Sequence, residues 1–333
     1  MSIIFNSRRI AGIRIGKRRF VGSAVQDGRT VFSRSEQRFF CYGNNRVYTS
    51  HDGIVWTCLR LKNVGKKSLT WIWNPVFGNG TGMAANASTL YMASDDNVDM
   101  SAWESIGNIP NFKPIFANGK FIAAGEGTSS GQVVATADGQ SYEWYYKGHS
   151  GNFVAIAYSP GLDLYAYADY RFLNDKGDIV DGGYLYYTKT LGGTLTKATS
   201  TAHKFTSITA GTNKFIATFS NGKIIYTTSD SGGKSWTTSE SISSNWDFSM
   251  FGDRFYAHCT EGLYASSNGN TWTKLSNAPD GILSLAYAGG VLVASTGGSS
   301  GGIWRSTDSG ANWTKVVDAP NMFTQIQSIG VKE

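Results

Sequence analysis

Short apolar runs bounded by Gly, Asn, Ser or Asp follow one another along most of the chain. Near the C-terminus they occupy 282–287, 291–295, 303–305 and 313–317. The runs are rich in β-branched and aromatic residues, which favours strands over helices. We find no stretch of 11 to 18 residues with the 3.6-residue period of an amphipathic helix. The pattern predicts an all-β protein built from short strands.

One turn motif recurs between these runs. Its cleanest copy, at 306–313, has the form S-x-D-x-G-x-x-W; other good copies begin at 50, 136, 228 and 266, and degenerate copies begin at 94 and 188. The steps from copy to copy are therefore 44, 42, 52, 40, 38 and 40 residues. A four-stranded propeller blade needs about 40–50 residues. The repeat predicts a seven-bladed β-propeller with four-stranded blades, in which the motif joins the third strand (C) to the outermost strand (D).

Each residue type in the motif suits a tight turn. The Asp carboxylate can accept backbone N–H groups of its own turn, and Gly supplies a positive φ. The Trp begins strand D and can bury a large aromatic surface. We therefore assign structural roles to Asp52, Asp138, Asp230, Asp308, Trp56, Trp236, Trp272 and Trp313.

The motif resembles the Asp-box (BNR) repeat of sialidases, sortilin-type receptors and other propellers. This resemblance implies a fold, because the motif is structural wherever it occurs. Sialidases also carry an F/Y-R-I-P segment whose Arg binds the substrate carboxylate, and the segments around Arg46 and Arg171 lack that pattern. We therefore assign no catalytic residue and expect a non-enzymatic protein. A glycan-active hydrolase on a propeller fold stays open as an alternative, with four unassigned acids: Glu104, Glu126, Glu143 and Asp163.

The first predicted blade contains only three strands, at 38–43, 46–49 and 55–59. The segment 322–331 resembles another innermost strand (A). We predict that this C-terminal strand completes the first blade and closes the ring, which removes exposed sheet edges. The predicted domains are an N-terminal arm at 1–33 and the propeller at 34–333.

The N-terminal arm is strongly basic. Residues 1–40 hold nine basic and two acidic side chains, a net of +7 against +6 for the whole chain, so the remainder nets −1. Apolar residues recur near Gly in the segment 9–22, which favours short β-segments joined by turns. We expect the arm to dock onto a neighbouring subunit through Arg8, Arg9, Arg14, Lys17, Arg18 and Arg19.

The same segment is similar to the I-x-x-I-x-I/V-G-x-x-x-V segments at the start of many tailed-phage virion proteins. This resemblance implies a structural or attachment protein of a tailed-phage virion that contacts other virion proteins and is oligomeric in the particle. Two readings of the arm stay open: contact with nucleic acid, for which interleaved aromatic residues are lacking, and a solvated basic hairpin. A cytoplasmic assembly scaffold is the further alternative for the whole chain.

The chain start lacks the apolar core of a signal peptide, and no run of 18 apolar residues occurs. We expect synthesis in the host cytoplasm, no membrane insertion and a place in the virion. The odd cysteine count (Cys41, Cys58 and Cys259) argues against a disulfide framework, and four scattered His argue against a metal site. We expect no cofactor.

Loop length predicts where a propeller of this kind would bind. When the four strands of a blade are lettered A to D from the innermost to the outermost, the A–B and C–D turns share one face of the propeller. The B–C and D–A connections share the other face. The largest departures from the repeat are an insertion at 169–181, assigned to the B–C loop of the fourth blade, and a basic connection at 60–73. Long loops on a rigid scaffold concentrate binding residues. The candidates for binding a neighbouring subunit, a host surface glycan or a receptor are Arg60, Lys62, Lys66, Lys67, Trp71, Tyr170, Arg171 and Phe172.

Overall fold

Antiparallel strands in meander order make up the computed structural model of this chain. The residues that the structure describes are 2–5, 8–11, 23–26, 29–33, 39–43, 46–50, 52–60, 73–78, 81–86, 89–93, 103–107, 113–126, 131–139, 141–149, 151–173, 179–199, 203–219, 224–227, 235–238, 247–251, 254–259, 261–298, 301–319 and 325–328. Over these residues the strands form eight sheets. The fold is a β-propeller, preceded along the chain by one further sheet.

The N-terminal sheet, called here the arm sheet, contains β1 (Ser2–Phe5), β2 (Arg8–Ala11), β3 (Ser23–Gln26) and β4 (Arg29–Ser33). Each strand pairs antiparallel with the next. The arm is thus rich in β-structure. Arg14, Lys17, Arg18 and Arg19 lie outside the described residues.

We number the other sheets from 1 to 7. Sheet 1 contains β33 (Gln325–Ser328), β5 (Phe39–Gly43), β6 (Arg46–Ser50) and β7 (Thr57–Arg60). Sheet 2 contains β8 (Trp73–Gly78), β9 (Thr81–Asn86), β10 (Thr89–Ala93) and β11 (Trp103–Gly107). Sheet 3 contains β12 (Lys113–Ala117), β13 (Lys120–Glu126), β14 (Gly131–Thr136) and β15 (Glu143–His149). Sheet 4 contains β16 (Gly151–Ser159), β17 (Leu164–Leu173), β18 (Ile179–Asp181), β19 (Leu185–Thr188) and β20 (Thr196–Lys197).

The remaining sheets follow the same order. Sheet 5 contains β21 (Phe205–Ala210), β22 (Phe215–Phe219), β23 (Ile224–Thr227) and β24 (Trp236–Thr238). Sheet 6 contains β25 (Asp247–Phe251), β26 (Arg254–Cys259), β27 (Gly262–Ser266) and β28 (Thr273–Lys274). Sheet 7 contains β29 (Ile282–Ala288), β30 (Val291–Thr296), β31 (Gly302–Ser306) and β32 (Thr314–Asp318). No helix in the described part of the chain is long and apolar enough to cross a membrane.

Sheet 1 is assembled from both ends of the propeller sequence. β33 pairs antiparallel with β5, and Ile326 lies opposite Cys41. Ile326 and Phe39 are fully buried, and Ser284 of sheet 7 donates a hydrogen bond to the Ile326 carbonyl (3.1 Å). The C-terminal segment therefore supplies the first strand of sheet 1, as its sequence predicts.

The core consists of apolar layers between successive sheets. The first strands contact one another in the order β33, β8, β12, β16, β21, β25 and β29, and β29 contacts β33 in turn. The layer between sheets 7 and 1, called here the closing joint, includes the buried side chains of Phe39, Val293, Ile303 and Ile326. The layer between sheets 3 and 4, called here the tyrosine joint, contains Tyr145, Tyr146, Tyr158, Tyr165, Tyr167 and Tyr186. Burying one large apolar side chain contributes about 1.5–3 kcal/mol.

The insertion at 169–181 is not the loop that its length suggests. β17 continues to Leu173, and β18 pairs with its end so that Phe172 lies opposite Val180. Tyr165, Tyr167, Tyr170 and Phe172 recur along this stretch, and aromatic residues of this kind favour a strand. The insertion is therefore a β-hairpin that extends sheet 4; residues 174–178 lie outside the described part of the chain.

Candidate functional site

The repeated C–D turns (numbered by sheet) are closed by side-chain hydrogen bonds. In turn 1, the Asp52 carboxylate accepts from the N–H groups of Ile54 (2.7 Å) and Val55 (3.0 Å), and Gly53 N–H donates to Ser50 Oγ (2.9 Å). Burial raises the pKa of Asp52, but these hydrogen bonds outweigh it, and the net shift is downward. The carboxylate thus stays ionised and occupied within its own turn.

Turn 7 is built in the same way. Asp308 accepts from the N–H (2.9 Å) and the side-chain amide (2.8 Å) of Asn312 and from Ser306 Oγ (2.8 Å). These bonds lower the pKa of Asp308 to about 2. In turn 3, Asp138 accepts from Ser141 N–H (3.1 Å). Asp230 of turn 5 lies outside the described residues.

Turn 6 shows that the negative charge is dispensable. Asn268 stands where the other turns have Asp, and its Oδ1 accepts from the N–H groups of Asn270 and Thr271, both at 2.9 Å. Ser266 Oγ lies 3.1 Å from the same oxygen. A neutral amide oxygen therefore does what the carboxylate does elsewhere, which is to satisfy backbone donors.

The aromatic residue of the motif also closes its turn. The indole N–H donates to the carbonyl of the turn glycine from Trp56 (3.1 Å), Trp272 (3.1 Å) and Trp313 (2.9 Å). In turn 3 the hydroxyl of Tyr142 donates to the carbonyl of Gly139, which is the glycine of that turn. Trp236 instead stacks on Phe215, with ring centroids 6.1 Å apart. Apolar packing was predicted for the motif's Trp residues from the sequence, and the hydrogen bond of the indole N–H was not.

The turn glycine packs against the preceding sheet. A Cβ on Gly310 would lie 2.8 Å from Leu275 of sheet 6, and one on Gly139 would lie 2.8 Å from Met92 of sheet 2. A Cβ on Gly53 would lie 3.2 Å from Val293 of sheet 7. Each of these glycines also has a positive φ, of 90°, 75° and 75° respectively. The motif therefore joins neighbouring sheets as well as two strands of one sheet.

Turn 4 performs the same task without an acidic residue. Thr190 stands at the Asp position, and its carbonyl accepts from Thr188 Oγ1 (3.1 Å) and Gly193 N–H (3.0 Å). Gly192 keeps a φ of 77°, and a Cβ there would lie 2.6 Å from the ring of Tyr145 in sheet 3. A backbone oxygen has replaced the side-chain acceptor, while the glycine packing is kept.

The hairpin of sheet 4 lies at the opposite end of the strands, on the B–C side. Its Tyr170, Arg171 and Phe172 are consecutive residues of β17. The backbone of Arg171 lies opposite Asn152 of β16 and Asp181 of β18. Strands on both sides thus hold Arg171 and Phe172, whereas Tyr170 falls at the register shift of the β16–β17 pairing.

The base of the hairpin is tightly packed. Asp169 is fully buried, and its N–H donates to the Tyr184 carbonyl (3.1 Å). A Cβ on Gly183 would lie 2.3 Å from Asp169 Cβ, so only glycine fits there. Gly183 also exchanges two backbone hydrogen bonds with His203 (2.7 and 2.8 Å). This glycine lets two backbone segments meet directly beneath the hairpin.

Aromatic and charged side chains surround this base. Lys197 Nζ lies 3.3 Å from the ring centroid of Tyr184, a cation–π contact. Burial, and then the negative charge of Asp169, raise the pKa of Tyr186. These residues were not predicted from the sequence, in which the Gly182-Gly183 pair is the available signal. Backbone hydrogen bonds and close ring and charge contacts thus fix the base of the hairpin.

The other predicted binding residues are not brought to this hairpin. Arg60 ends β7 in sheet 1, with its backbone opposite Arg46. Arg8 and Arg9 lie on β2 of the arm sheet. Lys62, Lys66, Lys67 and Trp71 fall outside the described residues. Across the described ranges there is no group of three His, Cys, Asp or Glu side chains placed to hold a metal ion.

Comparisons with known proteins give the fold alone. No family model matches the chain, and no curated protein matches it in sequence. Among solved structures, "YCF48 bound to D1 peptide" has a TM-score of 0.54 at 14% identity, covering 78% of this chain and 85% of that one. AztD from Citrobacter koseri has a TM-score of 0.55 at 12% identity, covering 97% and 95%. The computationally designed Ika8 protein has a TM-score of 0.54 at 10% identity, covering 86% and 90%. The chain shares the β-propeller fold with these proteins.

Proposed function

We propose that the chain is a seven-bladed propeller of the Asp-box type that serves as a non-enzymatic structural or attachment protein of a tailed-phage virion. Its basic arm would dock onto the particle. The loop face would bind a neighbouring subunit or a host surface glycan. Sheets 1 to 7 would be the seven blades, and the support for this count is the closed order in which their first strands contact one another.

The proposal that the protein is not an enzyme rests on the hydrogen bonding of the turn carboxylates. Their carboxylates accept hydrogen bonds from their own backbone, and Asn268 replaces one of them without loss of those bonds. Of the unassigned acids, Glu143 bonds Lys120 (2.6 Å) and Tyr145, and these contacts lower its pKa. Asp163 accepts from Tyr158 (2.9 Å). A glycosidase acid needs a raised pKa and a partner carboxylate across the scissile bond, which Glu143 does not fit.

Two features support binding at the loop face. Tyr170, Arg171 and Phe172 are aromatic and cationic residues of β17, and the backbones of Arg171 and Phe172 are paired on both sides. Such residues are enriched where proteins bind partners. The basic arm adds a second attachment point whose partner would be acidic, because the charge lies almost entirely in residues 1–40.

Virion incorporation tests the first half of the proposal. A phage lacking this gene would be complemented with the wild-type chain, with a variant replacing Arg8, Arg9, Arg14, Lys17, Arg18 and Arg19 by Gln, or with a charge-keeping control in which the five Arg become Lys. Mass spectrometry of purified particles should detect the wild type and the control, and much less of the Gln variant. Absence of the wild-type chain from particles would refute the virion role, and equal incorporation of all three would refute arm docking.

Adsorption to host cells tests the loop face. Replacing Tyr170 and Phe172 by Ser and Arg171 by Gln should reduce adsorption without reducing incorporation. The matched control is Ile54→Ser with Val55→Ser, because these side chains are 53% and 69% exposed on the turn face. A larger loss of adsorption from the control variant would place binding on the turn face and contradict the proposal. Turnover of any substrate in a polysaccharide panel would favour the hydrolase alternative instead.

A further inference from the structure

The described residues contain two Asn-Gly pairs, and the fold places them in different kinds of turn. Asn118-Gly119 forms the A–B turn of sheet 3, and Asn268-Gly269 lies in turn 6. Asn is a chemically labile residue. A following glycine makes it more labile, because the backbone nitrogen of a residue without a Cβ approaches the side-chain carbonyl with little steric hindrance. The pairs at 79–80 and 221–222 lie outside the described residues.

Deamidation of such a pair needs only water. The glycine backbone nitrogen attacks the asparagine Cγ, so that a nitrogen–carbon bond forms and the Cγ–Nδ2 bond breaks. The side-chain nitrogen leaves as ammonia with the proton of the glycine N–H. Water then opens the cyclic imide: its hydroxyl joins one of the two carbonyl carbons, and its proton joins the ring nitrogen. Opening at one carbon gives Asp, and opening at the other gives isoaspartate, which lengthens the backbone by one methylene.

Turn 6 holds both of the reacting groups. The N–H of Gly269, whose nitrogen is the nucleophile, is buried and donates to Ser266 Oγ (2.8 Å). The carbonyl oxygen of the Asn268 side chain accepts from the N–H groups of Asn270 and Thr271, both at 2.9 Å. Ring closure has to swing Cγ onto the glycine nitrogen, which would break these three hydrogen bonds and raise the barrier by their combined free energy. Turn 6 therefore protects its asparagine.

The A–B turn of sheet 3 leaves its pair in contact with water. Asn118 and Gly119 are both exposed, with φ of 49° and 70°, in a two-residue hairpin between the paired residues Ala117 and Lys120. Asn-Gly is a favoured sequence for such a turn. Asn118 donates from Nδ2 to the hydroxyl of Tyr165 in sheet 4 (3.0 Å). This bond engages the nitrogen that leaves, and it holds neither the attacked carbon nor the attacking nitrogen.

We propose that Asn118 is a deamidation site of the folded protein, whereas turn 6 keeps Asn268 intact. The modification acts on a link between sheets 3 and 4, because the Asn118 side chain bonds Tyr165. An Asp product retains an oxygen that can accept from the Tyr165 hydroxyl. Isoaspartate adds a backbone methylene to a two-residue hairpin, whose loop length sets the register of its strands, and so weakens the pairing of Ala117 with Lys120.

Peptide mapping by mass spectrometry of the wild-type chain, aged at mildly alkaline pH, tests the site. Loss of the Asn118 amide is expected to be at least about tenfold faster than loss of the Asn268 amide, because three hydrogen bonds oppose the second reaction. Chromatography should separate Asp and isoaspartyl forms of the peptide that contains residue 118. In chain unfolded by urea the two rates should converge. Equal rates in the folded chain, or a faster reaction at Asn268, would overturn the proposal.

Ser266→Ala is the matched variant for the protected pair. It removes the acceptor of the Gly269 N–H, so it should speed the loss of the Asn268 amide and leave the rate at Asn118 unchanged. Circular dichroism would confirm that the variant is folded, and if it is not, the wild-type comparison decides alone. An unchanged rate at Asn268 in the folded variant would contradict protection by the turn. Asn118→Asp shows the effect of the Asp product, and its melting temperature should exceed that of aged protein containing isoaspartate.

Discussion

The closing joint and the tyrosine joint solve one packing problem with different chemistry. In both, a turn glycine with positive φ packs against the preceding sheet: Gly53 against Val293 and Gly192 against Tyr145. The buried residues of the closing joint are mainly aliphatic around Phe39, and its turn has a carboxylate; the tyrosine joint holds six Tyr, and its turn has no carboxylate. The feature that the two share is the glycine. The acid is one of several ways to satisfy the turn's backbone.

The joints also differ in how they are linked. Arg305 of sheet 7 donates a hydrogen bond from Nε to the Asp52 carbonyl (3.1 Å), and this bond links sheet 7 to turn 1. The tyrosine joint relies on ring contacts, such as that of Phe153 with Tyr167 (centroids 5.3 Å apart). A directed hydrogen bond therefore reinforces the joint where the chain ends meet, and broad aromatic contact serves where the chain is continuous.

Removing residues 321–333 should give the largest effect. The truncation deletes β33, uncovers the edge of β5 and exposes the core around Ile326. We expect loss of a cooperative thermal transition, because the closing joint and sheet 1 fail together. Circular dichroism and calorimetry would measure it. An unchanged melting temperature would show that the closing joint is not needed for the fold.

Alanine at the turn glycines tests the comparison directly. Gly192→Ala should cost about 3 kcal/mol, from backbone strain plus a Cβ 2.6 Å from Tyr145. Gly53→Ala should cost less, because its nearest neighbour is 3.2 Å away. Gly290→Ala is the control for strain alone, with φ of 80° and nothing within 4 Å, at about 1–2 kcal/mol. The measurement is denaturant unfolding of the three variants. A different ranking would show that packing of the turn glycines on the preceding sheet does not set the cost of these substitutions.

Arg305→Gln should have a smaller effect, confined to the closing joint. It removes the bond to the Asp52 carbonyl and should cost about 1 kcal/mol. Lys315→Gln in the same sheet is the control, because Lys315 pairs with the exposed Asp318 (2.5 Å) and exposed pairs contribute little. Equal losses in urea unfolding would contradict a specific link between sheets 7 and 1.

Asp308→Asn should have the smallest effect and a distinct pH dependence. The folded pKa of Asp308 is about 2, below its ordinary value, so its contribution is fully present above about pH 4 and is lost as the pH falls toward 2. The variant keeps an acceptor oxygen, as Asn268 does. Melting curves from pH 7 to pH 2 should show a small deficit that vanishes at low pH. A deficit that grows on acidification would contradict the assignment.

Sequence predicted the features that depend on local chemistry. The turns place Asp52 and Asp308 as expected, because a side chain bonding its own turn needs no knowledge of the rest of the fold. The C-terminal strand was found because β33 completes a recognisable four-strand pattern. The packing of Gly192 on Tyr145 was not predictable, since it joins residues of different sheets. The hairpin at 169–181 was mistaken for a loop because its length was given more weight than the strand-favouring residues Tyr170 and Phe172.

The pairing of β33 with β5 also sets an order of events during synthesis. β5 leaves the ribosome early and β33 last, so sheet 1 waits for nearly the entire chain. At 5–20 residues per second that interval is on the order of tens of seconds. Throughout it the apolar edge around Phe39 and Cys41 has no native strand to pair with and is open to other nascent chains. A slow final docking step and a need for chaperones during translation are the expected cost of a ring built from its two ends.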